Sequence, residues 1–490
     1  MPSILDIVLR TPLWIWPLLV LVLWLGWSGR RTRTLHPARL AILPLVGLGT
    51  SFAGIVQSAA PALAAGGWGL GLLVALPLGY AIGRRRAVQR LADGRISIAG
   101  GWFMLGFAVS IFAARHALGV LFGVMPALKA MPLWIALSGG VGGVIAGIGL
   151  GWLAGLLVRP LPVRRIAAGG LLALVAGFGA VIAFSTPAPL PPLTAGDTVP
   201  GLAKWTRSEI PEVHRVAARD GAPLTYRLYP GRADRVVVLV HGSSGASISM
   251  HASAQALQAV GATVYAISLR GHGGSGWANG DISYRDQLDD DVVDFTKSVG
   301  LGDPKIHRTL IGFSSGGGFV LRIASGPQRA LFDAYLAVSP YIAWNSPTLR
   351  PNAGGWASVA LPRVVALSLL DATGLPWFQG LPVVRFATAA AASDNRTPVY
   401  SFRLQVGMQL TRAWRQRLAG IDRPTAILVG ARDELFVADS FAPLFEELNP
   451  RIAVSVQPGL GHMDMIGDPR GTEAVVAAWR RLASLDTARR

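Results

Sequence analysis

The chain has 490 residues, of which 51% are hydrophobic and only 15% are charged, and it contains no cysteine. This composition excludes an intrinsically disordered protein, a disulfide-stapled module and a cysteine-ligated zinc protein. The positive mean hydropathy of +0.45 indicates that a large part of the chain lies in lipid.

The formal net charge of +18 is concentrated in the amino-terminal part. Residues 1–190 hold 15 Lys and Arg against 2 Asp and Glu, whereas residues 191–490 hold 30 against 25. The basic residues of the first part form short clusters between apolar runs, which is the pattern that sets membrane topology. We therefore expect a membrane protein and no binding of nucleic acid.

Residues 1–187 are predicted to form an α-helical transmembrane domain. Apolar runs of bilayer-spanning length predict about six spans, at 12–28, 39–58, 66–83, 101–123, 133–157 and 166–186. No small-residue cleavage site follows the first run, so we expect it to be retained rather than removed as a signal peptide. The second and third runs are also consistent with a re-entrant pair, which leaves five or seven crossings open.

The loops predict the orientation of this domain. Arginines cluster after the first, third and fifth runs, at 30–39, 84–95 and 159–165, while the alternate loops hold only Lys129. The positive-inside rule places the arginine loops in the cytoplasm. After an even number of spans, everything beyond residue 187 is then on the periplasmic or exterior side, which we expect to be that of a bacterial inner membrane.

A row of glycines marks one face of the fifth run. They recur at every fourth position, at Gly139, Gly143, Gly147, Gly151 and Gly155. Small residues at this spacing let a neighbouring helix approach closely. We expect packing within the helical bundle, with a homo-oligomer contact as the alternative.

A different pattern begins after a Pro-rich linker and lead-in at 188–219. Short β-branched runs alternate with helical stretches over residues 220–490. Their predicted strands are Arg235–Val240, Thr263–Leu269, His307–Ile311, Ala334–Val338, Thr425–Val429 and Ala453–Val456. Apolar runs of this kind, with helices between them, predict an α/β domain with a mostly parallel sheet.

The strongest candidate for a nucleophile is Ser314. It lies in Gly312-Phe-Ser-Ser-Gly316, between a predicted strand and a predicted helix. Glycines at these positions permit a tight turn that exposes the serine hydroxyl, while the following N–H, that of Ser315, is free to stabilise an oxyanion.

A base and an acid follow in chain order. His462 comes after the last predicted strand and before the final predicted helix, where its side chain can reach Ser314 as general base. Asp433 follows the strand that ends near Val429 and is predicted to orient His462, although its neighbour Glu434 stays an alternative. The order Ser, Asp, His is the one expected for this type of sheet.

A second loop is predicted to complete the oxyanion hole. It follows the strand that ends at Val240 and reads His241-Gly-Ser-Ser-Gly245. The backbone N–H of Ser243 is the expected partner of that of Ser315. We interpret His241, and Arg270 and His272 in the next loop, as residues that hold loops together.

These motifs resemble those of a known superfamily. Residues from about 220 to 488 resemble α/β-hydrolases, and the three loops around His241, Arg270 and Ser314 are similar to those of the lysophospholipase and monoacylglycerol-lipase-like branch, also labelled serine aminopeptidases. Members commonly have Asp, His and Met where this chain has Ser268, Phe313 and Ser315, which leaves the substrate open. The first 190 residues resemble an uncharacterised bacterial membrane domain, which implies no function.

About 80 residues separate the fourth and fifth predicted strands, too many for a bare connection, and they predict a helical cap at about 341–412. Its aromatic side chains suit an apolar pocket or contact with lipid; they are Tyr341, Trp344, Trp356, Trp377 and Phe378. The sequence thus predicts a membrane-anchored serine hydrolase for a lipid-like ester such as a lysophospholipid or monoacylglycerol, without metal or organic cofactor. A peptidase of the same fold and a non-catalytic membrane sensor or transport component remain the alternatives.

Overall fold

The computed structural model describes residues 15–56, 58, 60–124, 132–157, 175–191, 209–350, 355–387, 396–410 and 413–487. The chain divides into two compact units, Met1–Ser185 and Thr186–Arg490. The predicted linker at 188–219 and the arginines at 159–165 lie partly or wholly outside the described residues, as does Lys129.

The first unit is helical. Its main helices are Ile15–Ser28, Pro37–Val56, Pro61–Arg84, Phe103–Val124 and Pro132–Leu157. Four of the described helices are long and apolar enough to cross a membrane, with spans at Ala38–Val56, Leu63–Arg84, Leu105–Phe122 and Leu133–Leu157. The first and last predicted runs extend outside the described residues and appear in part, as Ile15–Ser28 and Val175–Phe184. The predicted number of about six spans therefore stays a prediction.

The glycine row packs within the unit. A Cβ atom added to Gly143 would lie 1.9 Å from the carbonyl oxygen of Trp68, and one added to Gly151 would lie 2.1 Å from that of Leu76. The facing helix contributes glycines in return, since a Cβ at Gly71 would lie 2.2 Å from the carbonyl oxygen of Gly140. In lipid, such close van der Waals packing is a main source of helix association. The row contacts the helix Pro61–Arg84 of the same chain. A homo-oligomer contact stays the alternative given above.

Two of the arginine-containing loops of this unit meet in a small sheet. Strands β1 (Arg33–Leu35) and β2 (Val88–Arg90) both pair with β3 (Ile96–Ile98) in antiparallel register. Because β1 follows the helix Ile15–Ser28 and β2 follows Pro61–Arg84, the loops after these two helices lie on the same side of the unit.

The second unit contains an eight-stranded sheet. Its strands are β4 (Val213–Ala217), β5 (Pro223–Tyr229), β6 (Arg232–Val240), β7 (Ala262–Ile267), β8 (His307–Phe313), β9 (Ala334–Val338), β13 (Thr425–Gly430) and β14 (Ala453–Gln457). They lie in the order β14-β13-β9-β8-β6-β7-β5-β4. The pairs from β7 to β14 are parallel, and β4 and β5 add an antiparallel edge. The six predicted strands are confirmed and the sheet is mostly parallel, as expected.

Burial explains why these segments form strands. The side chains from Val236 to Val240 are at most 3% exposed, which requires cover on both faces of the sheet. Helices supply that cover, and the closing helix Pro469–Thr487 buries Trp479 against it. The other helices of this unit outside the insertion are His251–Ala259, Gln287–Ser298, Ser315–Ala324, Phe441–Leu448 and Asp464–Gly467, with 3₁₀ turns at Ser247–Met250 and Ala438–Ser440.

The long segment between β9 and β13 forms an insertion with its own structure. It contains the helices Leu361–Ala372, Phe402–Gly407 and Trp414–Ala419. It also contains a three-stranded antiparallel sheet of β10 (Ala357–Val359), β11 (Pro382–Phe386) and β12 (Val399–Ser401). The predicted cap thus contains helices together with a small sheet that the sequence did not predict, because short strands in an insertion carry too little periodicity to be distinguished from loops.

Candidate active site

Ser314 occupies a sharp turn between a buried strand and a helix. It follows β8 directly and precedes the helix Ser315–Ala324, with φ 55° and ψ −119°. A serine in this conformation is strained by about 1–3 kcal/mol and persists only where its surroundings hold it. Here its N–H donates to the carbonyl oxygen of Val338 at 2.9 Å, and its own carbonyl accepts the N–H of Tyr341 at 3.0 Å.

The glycines around Ser314 are required by close backbone approach. A Cβ atom at Gly312 would lie 2.3 Å from the carbonyl oxygen of Gly316, and one at Gly316 would lie 2.3 Å from that of His241. Both contacts are with backbone that cannot move aside cheaply. The pattern Gly312-x-Ser314-x-Gly316 is therefore a steric requirement of the turn.

Asp433 and His462 meet at the same edge of the sheet. Asp433 follows β13 and His462 follows β14, and parallel strands place their carboxyl ends together. The Asp433 Oδ2 atom lies 2.8 Å from His462 Nδ1, and both side chains are at most 5% exposed. The second carboxylate oxygen accepts the backbone N–H groups of Leu435 at 3.0 Å and Phe436 at 2.9 Å. These bonds fix the carboxylate plane and hold the His462 ring in one orientation.

Glu434 contacts the backbone of His462 rather than its ring. Its Oε2 atom accepts the N–H of His462 at 2.6 Å. The two neighbouring acids thus hold the same residue at different atoms, and the ring faces Asp433.

The His462 ring lies beside the turn that contains Ser314. Its centroid is 4.7 Å from that of Phe313, the residue before Ser314, and 5.3 Å from that of Phe436. Among the residues that the structure describes, no hydrogen bond joins the Ser314 hydroxyl to the ring. Such contacts are often long without substrate and tighten in the complex.

The loop after β6 also reaches Ser314. A Cβ atom at Gly242 would lie 3.1 Å from Ser314 Cβ, so Ser243 follows a residue in contact with the turn. His241 is fully buried, with Nδ1 donating to the carbonyl of Gly242 at 2.8 Å and Nε2 accepting the N–H of Leu269 at 3.1 Å. Burial lowers the pKa of His241 to about 4, so its ring is neutral near pH 7.

The next loop is anchored by charge pairs and by the insertion. The Arg270 guanidinium is 3% exposed and forms ion pairs with Asp291 at 2.7 Å and Asp220 at 2.8 Å. The His272 Nε2 atom lies 2.5 Å from the hydroxyl of Tyr400 on β12. Tyr400 was missed from the sequence, because nothing in Pro398-Val-Tyr400 predicts that it contacts a loop 128 residues away.

The predicted cap aromatics differ in their surroundings. Trp344, Trp377 and Phe378 are 73%, 58% and 59% exposed, whereas Trp356 stacks on Phe386 with ring centroids 5.0 Å apart. Burial raises the pKa of Tyr341 to about 12. The aromatics therefore do not line one closed pocket together.

Two further features of the described residues do not contribute to this site. The described part of the chain contains no group of three or more His, Asp and Glu side chains able to hold a metal ion. A cavity of about 210 Å³ lies at the amino ends of β13 and β14, beside Arg451 and Arg481. That edge of the sheet is opposite Ser314.

Comparison with known proteins identifies the family. Residues 231–470 match the family described as Serine aminopeptidase, S33. This segment is an α/β-hydrolase domain of that family. The hydrolase domain thus includes Ser314, Asp433 and His462 within its matched range, and the chain is a serine hydrolase.

Individual relatives of the hydrolase domain are distant in sequence. A monoacylglycerol lipase of Mycolicibacterium smegmatis is 28% identical over 275 residues, which cover 52% of this chain and 90% of that protein. The solved structure of Paleococcus ferrophilus monoacylglycerol lipase is 20% identical, with a TM-score of 0.41, over 56% of this chain and 99% of that one. A soluble variant of monoglyceride lipase from Saccharomyces cerevisiae is 18% identical, with a TM-score of 0.43, over 56% and 95%.

Proposed function

We propose that the protein is a membrane-anchored serine hydrolase that cleaves a carboxylic ester with an apolar acyl or alcohol part. The observation that carries this proposal is the 2.8 Å contact between Asp433 and His462 at the sheet edge where Ser314 occupies its strained turn. A buried, oriented imidazole beside a serine held in a sharp strand-to-helix turn is the arrangement that acyl transfer requires.

In the proposed reaction the Ser314 hydroxyl attacks the ester carbonyl while His462 Nε2 takes its proton. The carboxylate of Asp433 accepts the Nδ1–H and stabilises the imidazolium that forms. The N–H groups of Ser243 and Ser315 bind the oxyanion. His462 then protonates the departing alcohol, and a water molecule activated by the same ring cleaves the acyl-enzyme. No step needs a metal or an organic cofactor.

The substrate class is inferred from the membrane unit and from the relatives. A hydrolase tethered beside a bilayer meets lipid substrates at high local concentration. The monoacylglycerol lipase of Mycolicibacterium smegmatis is a relative over 90% of its length. A monoacylglycerol or a lysophospholipid is therefore the substrate that we propose.

We assign residues 1–187 to membrane anchoring and residues 220–490 to hydrolysis, with the hydrolase domain on the periplasmic side of a bacterial inner membrane. The shared sheet of β1, β2 and β3 supports one part of this topology, because the arginine loops after the first and third predicted spans then lie on one side. A reporter fused after Arg490 tests the rest. Activity of a periplasm-dependent reporter such as alkaline phosphatase is expected, and a cytoplasmic result would reverse the orientation.

Fluorophosphonate labelling of the full chain in detergent tests the reaction class. Wild type is expected to be labelled and Ser314→Ala to be unlabelled, while Ser315→Ala, which keeps the backbone N–H, serves as the control that retains labelling. A panel of monoacylglycerols, lysophospholipids and p-nitrophenyl esters then identifies the ester. Absence of labelling together with an unchanged phenotype for Ser314→Ala would favour a ligand-binding sensor or transport component.

A peptidase is the second candidate, and the description of the matched family as Serine aminopeptidase favours it. The same triad cleaves amides and esters. Amino-acid anilides set beside p-nitrophenyl esters of matched size separate the two, since we expect the ester to give the higher kcat/KM. A preference for the anilide would replace the ester proposal with the peptidase.

A further inference from the structure

The oxyanion loop is held from outside the sheet by the inserted cap. Ser244, the residue after the proposed donor Ser243, has φ 61°, a left-handed conformation that is unfavourable for serine. Both of its backbone polar groups are bonded to the insertion. Its N–H donates to the hydroxyl of Tyr400 at 2.7 Å, and its carbonyl accepts the N–H of Thr397 at 3.1 Å.

The direction of the hydrogen bonds through Tyr400 follows from its neighbours. His272 Nδ1 lies 3.2 Å from the carbonyl oxygen of Arg270, which can only accept, so Nδ1 carries the proton. His272 Nε2 therefore accepts, and the Tyr400 hydroxyl donates to it at 2.5 Å. Burial, with the neighbouring His241 ring, holds the pKa of His272 well below its usual value and keeps this ring neutral. The hydroxyl is thus free to accept from Ser244.

Tyr400 is placed rigidly enough to act on the loop. It is 1% exposed, its ring packs edge-on against Phe386 of β11 at 4.7 Å, and it also meets the His272 ring at 5.1 Å. The peptide between Ser243 and Ser244 is the one whose N–H Tyr400 holds. The Ser243 N–H belongs to the preceding peptide plane, which shares the Ser243 Cα atom, so a displacement of the loop at Ser244 would also move the Ser243 N–H.

We propose that Tyr400 is a positioning residue for the oxyanion hole, through which the cap insertion holds Ser243 and Ser244 in the geometry that the reaction needs. This inference rests on the proposed function, because the oxyanion hole is part of it. Through Tyr400, a displacement of β12 in the cap would move the loop beside Ser314.

The test compares Tyr400→Phe with wild type in the full-length protein. The variant removes only the hydroxyl and keeps the ring contacts. Losing a whole oxyanion donor costs about 10²–10³ in kcat, so a misaligned donor is expected to lower kcat by about 10- to 100-fold, with KM changed by less than about 3-fold. Rates are normalised to active sites titrated with fluorophosphonate, and the inhibition constant of a boronic acid, which forms a tetrahedral adduct, is expected to rise in parallel with the fall in kcat/KM.

Tyr229→Phe is the matched control. The Tyr229 hydroxyl makes an equally buried bond to a histidine, His251 Nδ1, at 2.7 Å, but it lies on β5 of the main sheet. A general effect of removing a buried Tyr–His bond would lower stability in both variants and leave the rate per active site unchanged in both. Equal kcat values for Tyr400→Phe, Tyr229→Phe and wild type would overturn the proposal while leaving the hydrolase function intact.

Hydrogen exchange of the segment 241–246 provides a readout that does not depend on activity. Tyr400→Phe is expected to speed exchange of this segment by at least about 10-fold, and Tyr229→Phe to leave it unchanged. If wild type proves to be inactive on every ester and amide, the proposed function fails, and faster exchange in Tyr400→Phe still supports the coupling of cap and loop. Unchanged exchange in Tyr400→Phe overturns that coupling whether or not the protein is active.

Discussion

Replacing Asp433 with asparagine isolates the role of its charge, because the two side chains have the same shape. The hydrogen bonds of Asp433 determine how the side-chain amide of the asparagine would be oriented. Asp433 Oδ1 accepts two backbone N–H groups, from Leu435 and Phe436. The asparagine carbonyl oxygen takes that position, so its NH₂ group faces the ring of His462. The ring then has to accept at Nδ1, which moves its proton to Nε2 and removes the base that faces Ser314.

The expected loss of kcat depends on which of two orientations the asparagine amide adopts. With the amide as described, the wrong tautomer is expected to lower kcat by about 10⁴-fold, or about 5 kcal/mol, as in the analogous trypsin substitution. Flipping the amide would restore the Nδ1–H bond, but would aim NH₂ at two N–H donors at a cost of about 2–3 kcal/mol. The flipped amide would still lower kcat by about 10²-fold, so we expect kcat to fall by about 10²- to 10⁴-fold.

The assay is hydrolysis of a short p-nitrophenyl ester by full-length protein in detergent, with KM expected to change by less than about 3-fold. Glu434→Gln is the matched control, because its amide oxygen can still accept the His462 backbone N–H, and it is expected to retain at least about a tenth of the activity. A loss smaller than 10-fold in Asp433→Asn, or a larger loss in Glu434→Gln than in Asp433→Asn, would refute the assignment of Asp433 as the orienting acid.

Three further perturbations test the framework of the hydrolase domain. Gly312→Ala places a Cβ atom 2.3 Å from a backbone carbonyl oxygen, and we expect it to lower the free energy of unfolding by about 3 kcal/mol or more and to abolish activity. A Cβ atom at Gly302 would meet nothing within 4 Å, so Gly302→Ala is the control and should have the melting temperature of wild type, measured by intrinsic fluorescence. Arg270→Met leaves the buried carboxylate of Asp291 without this ion pair, and we expect it to lower the free energy of unfolding, measured by urea titration, by about 3–5 kcal/mol. Arg470→Met removes the exposed ion pair with Asp468 and serves as the control, with an expected loss of less than about 0.5 kcal/mol. Because burial lowers the pKa of His241 to about 4, the unfolded state takes up this proton first as the pH falls below about 6.5. Stability at pH 4.5 is therefore expected to be about 2–3 kcal/mol lower than at pH 7 through this group, and a urea midpoint independent of pH over that window would contradict it.

The sheet and the positions of the site loops could be predicted from the sequence for a local reason. Strands buried on both faces must be continuous apolar runs, and β6, β8 and β13 are such runs with turn residues directly after them. Parallel strands then bring the residues after them to one edge without further information. For this reason the sequence placed Ser314 and Asp433 at the same edge although they are separated by more than a hundred residues.

The contacts of the insertion could not be predicted in this way. Strand β12 has only three residues, and its pairing with β11 includes a register shift near Pro382. Tyr400 acts on Ser244 through one hydroxyl group, and no spacing in the chain signals a bond between residues so far apart. The choice between Asp433 and Glu434 also depended on geometry, since both acids follow β13 and both bond to His462, one to the ring and the other to the backbone.

The departures from the resembled family are accommodated without disturbing this arrangement. Ser268, where related proteins commonly carry an acid, accepts the N–H of Ser247 with its hydroxyl at 3.0 Å and so anchors the turn after the oxyanion loop without a buried charge. Phe313, where a histidine is common, packs its ring against that of His462 at 4.7 Å. An apolar wall there excludes water from one side of the base and adds no titratable neighbour to it. The residue differences therefore change the surroundings of the nucleophile rather than the atoms that would carry the proton, and we expect them to affect which acyl group is accepted more than whether acyl transfer occurs.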